Sequence, residues 1–122
     1  INTIAYSPGG FGLLSGKYSP TNPPKDERKT IKALYSPLFP SLLEEIKTLG
    51  DKYNVSPYSI SLSWVSAMGP WAIVRGVGKE EDLDIMTIQL KEDEVDNLSS
   101  IAKEISLSNS SDNIFSHNWM LQ

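Results

Sequence analysis

Apolar positions along this chain switch between short unbroken runs and helical spacing, and those switches lay out its elements in order. Residues 1–6 predict a strand buried on both faces, stopped by Ser7-Pro8-Gly9-Gly10. Residues 19–40 hold Pro20, Pro23, Pro24, Pro37 and Pro40 among charges, which predicts a long loop with a helical turn about residues 29–35. Residues 41–53 predict the first firm helix. Leu42, Leu43, Ile46, Leu49 and Tyr53 share one face, and Glu44, Glu45, Lys47 and Asp51 share the other. Asn54 is its stop. Ser56 as cap and Pro57 at the first helical position restart a helix carrying Ile60, Leu62, Trp64, Val65 and Met68 to Gly69-Pro70. Residues 71–74 predict a second short strand, closed by Arg75-Gly76-Val77-Gly78. Residues 79–88 predict a helix whose first-turn carboxylates, Glu80, Glu81 and Asp82, suit the positive end of its dipole. Val95, Leu98, Ile101 and Ile105 predict a last helix over residues 92–105, and residues 106–122 follow as a polar tail. Strand, loop, two helices, strand and two helices make the rhythm of a parallel α/β protein. Two parallel strands cannot make a sheet covered on both faces, so residues 1–105 read as part of something larger.

Chemistry concentrates after the first strand, where Gly9, Gly10, Gly12 and Gly16 lead to Lys17. Glycine reaches φ > 0 without strain and lets backbone approach a bulky ligand. Successive N–H groups in such a turn can form an anion-binding concavity. The pattern therefore points to phosphate held at the end of a sheet strand. A Walker loop fails, because Phe11 stands where its first glycine belongs and Tyr18 where its magnesium-binding hydroxyl belongs. A dinucleotide fingerprint read from Gly10 fails too, with Ser15 at the third glycine and no helix directly after.

Composition narrows the partners. A net charge of −4, with only a modest basic cluster over residues 25–32, argues against nucleic acid. No apolar run approaches the ~20 residues of a membrane span, so no membrane partner is expected. The absence of cysteine excludes disulfides and thiolate zinc sites. Glu80, Glu81, Asp82 and Asp84 lack the loop geometry of a calcium site, and the one histidine, His117, lies in the tail; no metal is expected. No nucleophile–base pair is visible, and no catalytic residue is assigned. The chain starts at Ile1 with no visible signal peptide, and the expected compartment is the cytoplasm, with a plastid or other organelle left open.

Residues 5–18, Ala-Tyr-Ser-Pro-Gly-Gly-Phe-Gly-Leu-Leu-Ser-Gly-Lys-Tyr, resemble the seventh-strand segment of the aldo-keto reductases, written A-Y-S-P-L-x-x-G-L-L-[ST]-G-K-Y. Only Gly9 departs clearly, standing where leucine is common. Lys52-Tyr53-Asn54-Val55-Ser56-Pro57 is similar to the family's K-Y-G-V-[ST]-P junction. Ile73-Val74-Arg75-Gly76-Val77 stands at its eighth strand, and residues 90–95 resemble the L-T-x-E-E-[VL] start of its final helix. The likeness reaches about residue 98.

This resemblance implies a (β/α)8 TIM barrel of which the chain is the C-terminal part, about strands seven and eight with their helices. It implies NADPH as cofactor and a small-molecule carbonyl substrate, an aldehyde or ketone, reduced by hydride transfer. Tyr6 matches the tyrosine that stacks on the nicotinamide. Ser7, Pro8, Gly9, Gly10 and Phe11 match the loop over the pyrophosphate, and Lys17 and Arg28 match cationic positions in the loop folding over the dinucleotide. After the eighth strand the family has G-[AS]-[SRK]-x-x-x-Q-[LA]-x-E-N around the adenosine. Here Gly76 and Leu83 match, Gly78 falls at the 2′-phosphate contact with Lys79 as nearest cation, and Asp82 replaces the glutamine. Gly76, Gly78, Lys79 and Asp82 are the candidate contacts on that side. Ile85-Met86 replaces the Glu-Asn pair and cannot hydrogen-bond adenine, so either weaker cofactor affinity or a different hold on the adenosine is expected. The family's catalytic tyrosine, aspartate, lysine and histidine come from the first half of the barrel and map to nothing here. The 122-residue chain alone is therefore expected to be inactive. Two other readings stay open: a non-catalytic nucleotide-binding regulatory or interaction subunit of the same fold, and a degenerate product aggregating through unpaired strand edges.

Overall fold

The computed structural model describes residues 3–70, 72–74 and 87–108. Strand β1 (Ile4–Tyr6) pairs in parallel with β2 (Ala72–Val74), Ile4 opposite Ala72 and Tyr6 opposite Val74. A parallel pair needs a long crossover. Here the crossover holds three 3-10 turns (Leu13–Ser15, Glu27–Thr30, Lys32–Tyr35) and helices α1 (Phe39–Tyr53) and α2 (Pro57–Ala67). Helix α3 (Glu92–Ser108) follows β2.

The expectation that the first strand is buried on both faces does not hold. Ile4 and Tyr6 are each 54% exposed and Val74 is 57% exposed. Alternate residues of a strand share a face. Ile4, Tyr6 and Val74 therefore line one open side of the pair, and Ala5 and Ile73 are half-buried. Among the described residues there is no third strand and no layer over the open side. An apolar strand can predict its own burial, but it cannot supply the layer that would bury it.

The core lies between the helices instead. Leu13 and Leu14 from the glycine turn, Ala33 and Leu34 from the last 3-10 turn, Phe39, Leu42, Ile46 and Leu49 of α1, Ile60 and Trp64 of α2, and Leu98, Ala102 and Ile105 of α3 form one buried cluster. Each large apolar side chain buried this way contributes ~1.5–3 kcal/mol. Helix α1 starts two residues earlier than expected, because Pro40 sits in the first turn, where a missing N–H costs nothing. It ends as the sequence predicts. Asn54 takes a left-handed conformation (φ 55°), Val55 N–H donates to Gly50 O at 2.9 Å, and Asn54 N–H donates to Asp51 O. That pairing is a Schellman cap.

Helix α2 departs from a simple amphipathic reading. Its apolar residues alternate with serines, and Ser59, Ser61 and Ser63 are buried beside Ile60, Leu62 and Trp64, while Met68 is exposed. Buried hydroxyls need partners. Ser61 Oγ donates to Pro57 O at 3.1 Å and Ser63 Oγ to Ser59 O at 2.6 Å. Ser63 Oγ also accepts Ile88 N–H at 2.9 Å, and Ser99 Oγ accepts Trp64 Nε1–H at 3.0 Å. The serines thus join α2 to the segments that follow β2.

The expected turn about residues 29–35 is two successive 3-10 turns separated by an extended Ile31. Helix α3 runs three residues past its expected end, to Ser108. Of the helix expected over residues 79–88, Thr87 and Ile88 are not helical and residues 79–86 lie outside the described residues, as do Trp71, His117 and the tail beyond residue 108. No helix among the described residues is long and apolar enough to cross a membrane.

One polar cluster pins α1 to α3. Glu94 is buried and accepts Lys52 Nζ–H at 2.8 Å, Tyr53 O–H at 2.5 Å and Lys91 N–H at 2.8 Å. The last of these caps the first turn of α3. Burial alone raises the carboxyl pKa, but the hydrogen bonds from Lys52, Tyr53 and the Lys91 amide outweigh it and lower it to about 2.

Candidate cofactor site

Strand β1 delivers Tyr6 to its C-terminal end, exposed on the open side of the sheet opposite Val74. The chain then turns sharply. Ser7 (φ 52°), Gly10 (φ 60°), Phe11 (φ 57°), Gly12 (φ 84°) and Gly16 (φ 83°) all take left-handed backbone conformations. Glycine does so freely, but Ser7 and Phe11 are strained there, by roughly 1–3 kcal/mol each. Strain of this kind, at the end of a strand, is concentrated at functional turns.

Five amides of the turn are bonded within it, whereas an anion-binding concavity needs free ones. Gly10 N–H donates to Ser7 O at 2.9 Å, and Gly12 N–H and Leu14 N–H share Gly9 O at 3.1 and 3.2 Å. Leu13 N–H donates to Gly10 O at 3.1 Å and Ser15 N–H to Gly12 O at 3.2 Å. Pro8, Gly9, Gly10, Leu13 and Leu14 are buried, and buried N–H groups have to be satisfied. Folding the turn under the helices therefore consumes donors that the glycine pattern offers to an anion.

Arg28 is the candidate that the fold carries to this turn. Its Nη1–H donates to Phe11 O at 2.8 Å, across seventeen residues, and Nη1 lies 3.2 Å from where a Cβ on Gly12 would stand. Nε–H donates to Asp26 Oδ1 at 2.8 Å, and Nη2–H donates to Asp26 Oδ2 at 2.7 Å and to Tyr18 Oη at 3.4 Å. The guanidinium also lies 5.2 Å from the Tyr18 ring centroid, a cation–π distance. The hydrogen bonds from Arg28 hold the Asp26 carboxyl at about 2, and Asp26 in turn raises the Arg28 pKa above its ordinary value. Both groups stay charged through the neutral range. Four of the five guanidinium N–H bonds are directed at these partners, which leaves one on Nη1 without an acceptor among the described residues.

Lys17 is not brought into this cluster. Its side chain is exposed and makes no hydrogen bond or ion pair among the described residues, while its backbone carbonyl accepts Asn22 Nδ2–H at 3.1 Å. Gly76, Gly78, Lys79 and Asp82, with Ile85 and Met86, lie outside the described residues. Three residues of the site carry no candidate role in the sequence: Asp26, Tyr18 and Tyr58. Asp26 has a local signal, since an aspartate before a helical turn is a usual cap, and its carboxylate does accept Arg28 N–H at 3.0 Å. Tyr58 has none. It packs on Gly9 from the first turn of α2, forty-nine residues away in sequence.

Among the described residues no group of three His, Cys, Asp or Glu side chains could hold a metal ion. The chemistry on offer is an exposed aromatic ring, a strained glycine turn with little side-chain bulk and a tethered guanidinium. Among the described residues the guanidinium acts on the turn itself, through Phe11 O.

Comparison with known proteins agrees with the motif reading. The aldo/keto reductase family matches residues 1–103. Among curated proteins, "Aldo-keto reductase str7" of Strobilurus tenacellus is 36% identical over 114 aligned residues, covering 85% of this chain and 34% of that protein. The chain thus spans about a third of the length of that relative. No solved structure matches. With a family match over most of its length and a relative at this identity, the chain belongs to the aldo/keto reductase family.

Proposed function

We propose that this chain supplies the nicotinamide and pyrophosphate side of an NADPH site in a (β/α)8-barrel oxidoreductase, as the part around its seventh and eighth strands. The observation that carries the reading is Tyr6, exposed at the end of β1 and followed at once by the strained turn that Arg28 straps. Parallel pairing of β1 with β2 through a helical crossover supports the barrel, because ligands of such folds gather where strands end. When bound, NADPH supplies the hydride for an aldehyde or ketone substrate.

The residues of this chain bind and orient. The Tyr6 ring offers a flat apolar face to a flat heteroaromatic ring. Gly12, where a side chain would press on the Arg28 guanidinium, would leave the strap in place when a pyrophosphate binds. Arg28 joins the loop of residues 19–40 to the turn through Phe11 O, and its second Nη1–H would be its donor to a phosphate. The proton donor for the carbonyl oxygen is not among these residues. The 122-residue chain alone is therefore inactive in this reading.

The test is an NADPH titration of the chain by nicotinamide fluorescence. Tyr6→Ala should weaken binding by about tenfold, since base–aromatic stacking is worth ~1–3 kcal/mol. Arg28→Ala should weaken it while leaving an added salt dependence smaller than in the parent chain. Saturable binding unaffected by either change would remove Tyr6 and the turn from the site.

A further inference from the structure

Besides the strap of Arg28, the ring of Tyr58 also closes on the turn. An ideal Cβ built on Gly9 would lie 2.7 Å from Tyr58 Cε2 and 3.1 Å from Cδ2. Real Cβ atoms do not tolerate such distances, so the ring occupies the volume that any side chain at position 9 would fill. Backbone conformation does not impose glycine there. Gly9 is absent from the positive-φ positions, which are Gly10, Gly12, Gly16 and Gly69 among the glycines. The aromatic ring alone bars a side chain from this place.

Gly9 is also the hub of the turn. Its carbonyl accepts two amides, Gly12 N–H at 3.1 Å and Leu14 N–H at 3.2 Å. Gly12 in turn accepts the Ser15 hydroxyl at its carbonyl and leaves the space beside the Arg28 guanidinium free of a side chain. Tyr58 itself is anchored. It follows Pro57 in the first turn of α2, whose cap, Ser56, accepts Ser59 N–H at 3.1 Å. A capped helix start thus carries a large ring onto a residue whose carbonyl holds two amides of the strained segment.

We propose that Tyr58 is a positioning residue for the residue 7–12 turn: its ring replaces a side chain at position 9 and fixes the Gly9 carbonyl that holds Gly12 and Leu14. Tyr58 contacts no reacting atom. Its effect on dinucleotide affinity, exerted through the turn that follows Tyr6, rests on the cofactor reading above. The packing itself does not. A paired size swap follows, because leucine at position 9 should be accepted only when the ring of residue 58 is gone.

The experiment uses the full 122-residue chain and the variants Tyr58→Phe, Tyr58→Ala, Gly9→Leu and the double variant Gly9→Leu/Tyr58→Ala. Native-state amide exchange is read at Gly12 and Leu14 and, as the global reference, at Ile46 in α1. Tyr58→Ala should speed exchange at Gly12 and Leu14 by about tenfold or more beyond any change at Ile46. Gly9→Leu should do the same, the double variant should return to within about threefold of the parent, and Tyr58→Phe should match it. NADPH affinity should follow the same order. Exchange at Gly12 and Leu14 that moves only in step with Ile46 would overturn the proposal. So would a double variant no better than Gly9→Leu. A parent chain that binds no NADPH would sink the cofactor reading and leave the exchange cycle to decide the role of Tyr58.

Discussion

Replacing Glu94 with leucine should lower the unfolding free energy by about 2–3 kcal/mol, a large share of what a small domain possesses. The carboxylate accepts from Lys52, Tyr53 and the Lys91 amide at once, and its removal leaves three donors without their acceptor between α1 and α3. Lys52 is nearly half exposed and can return to water, which keeps the loss below that of a fully buried pair. Glu94→Gln should cost less, since an amide oxygen still serves Tyr53 or Lys91. The pH dependence has a defined sign. The folded carboxyl lies at about 2 against an ordinary 4.5, so its contribution is complete above pH 4.5 and is lost as pH falls toward 2. Urea melts between pH 7 and pH 2.5 should show a steep acid limb that flattens in Glu94→Gln. Asp26 also lies at about 2, but its pair with Arg28 is exposed, so high salt should suppress its share and leave that of Glu94. An acid limb identical in the parent and the glutamine variant would show that the cluster carries no such linkage.

Gly50→Ala should destabilise the chain by about 1–3 kcal/mol, opposite in sign to the rule for helix interiors. Alanine in place of an interior helical glycine normally stabilises by ~0.5–1 kcal/mol. Here a Cβ on residue 50 would stand 2.9 Å from Val55 O, a backbone atom that cannot rotate away. Val55 is held in place by its own N–H bond to Gly50 O and by the left-handed Asn54 before it. The Schellman cap folds the chain back so closely over α1 that only glycine leaves room. The urea midpoint of Gly50→Ala against the parent settles the sign, and a raised midpoint would mean that Val55 shifts freely.

These two sites show where the sequence is legible and where it stops. The cap at Asn54 is readable, because a polar residue able to take φ > 0 ends an amphipathic run of Leu42, Ile46 and Leu49. The need for Gly50 is not readable, because it comes from the return path of Val55. Glu94 looks like one more first-turn carboxylate beside Glu92 and Asp93. Its partners Lys52 and Tyr53 lie about forty residues away, and only packing α3 on α1 brings them together. Helix α2 is hardest. The serine–apolar alternation of residues 58–64 suits a strand period as well as a helix, and Pro57 with its Ser56 cap decides for the helix.

The glycine turn divides in the same way. Its glycines, its place after an apolar strand and its family are determined by the sequence alone, since these depend on local backbone preference and on residue identity. Which donors the turn keeps is decided by tertiary structure. Leu13 and Leu14 are drawn into the core, and the amides around them must then bond one another. Arg28 reaches the turn because the loop of residues 19–40 folds over it, and Gly9 is glycine because Tyr58 occupies its side-chain space. Long-range contacts of this kind leave no periodicity and no local motif, because each depends on how two distant segments share one volume.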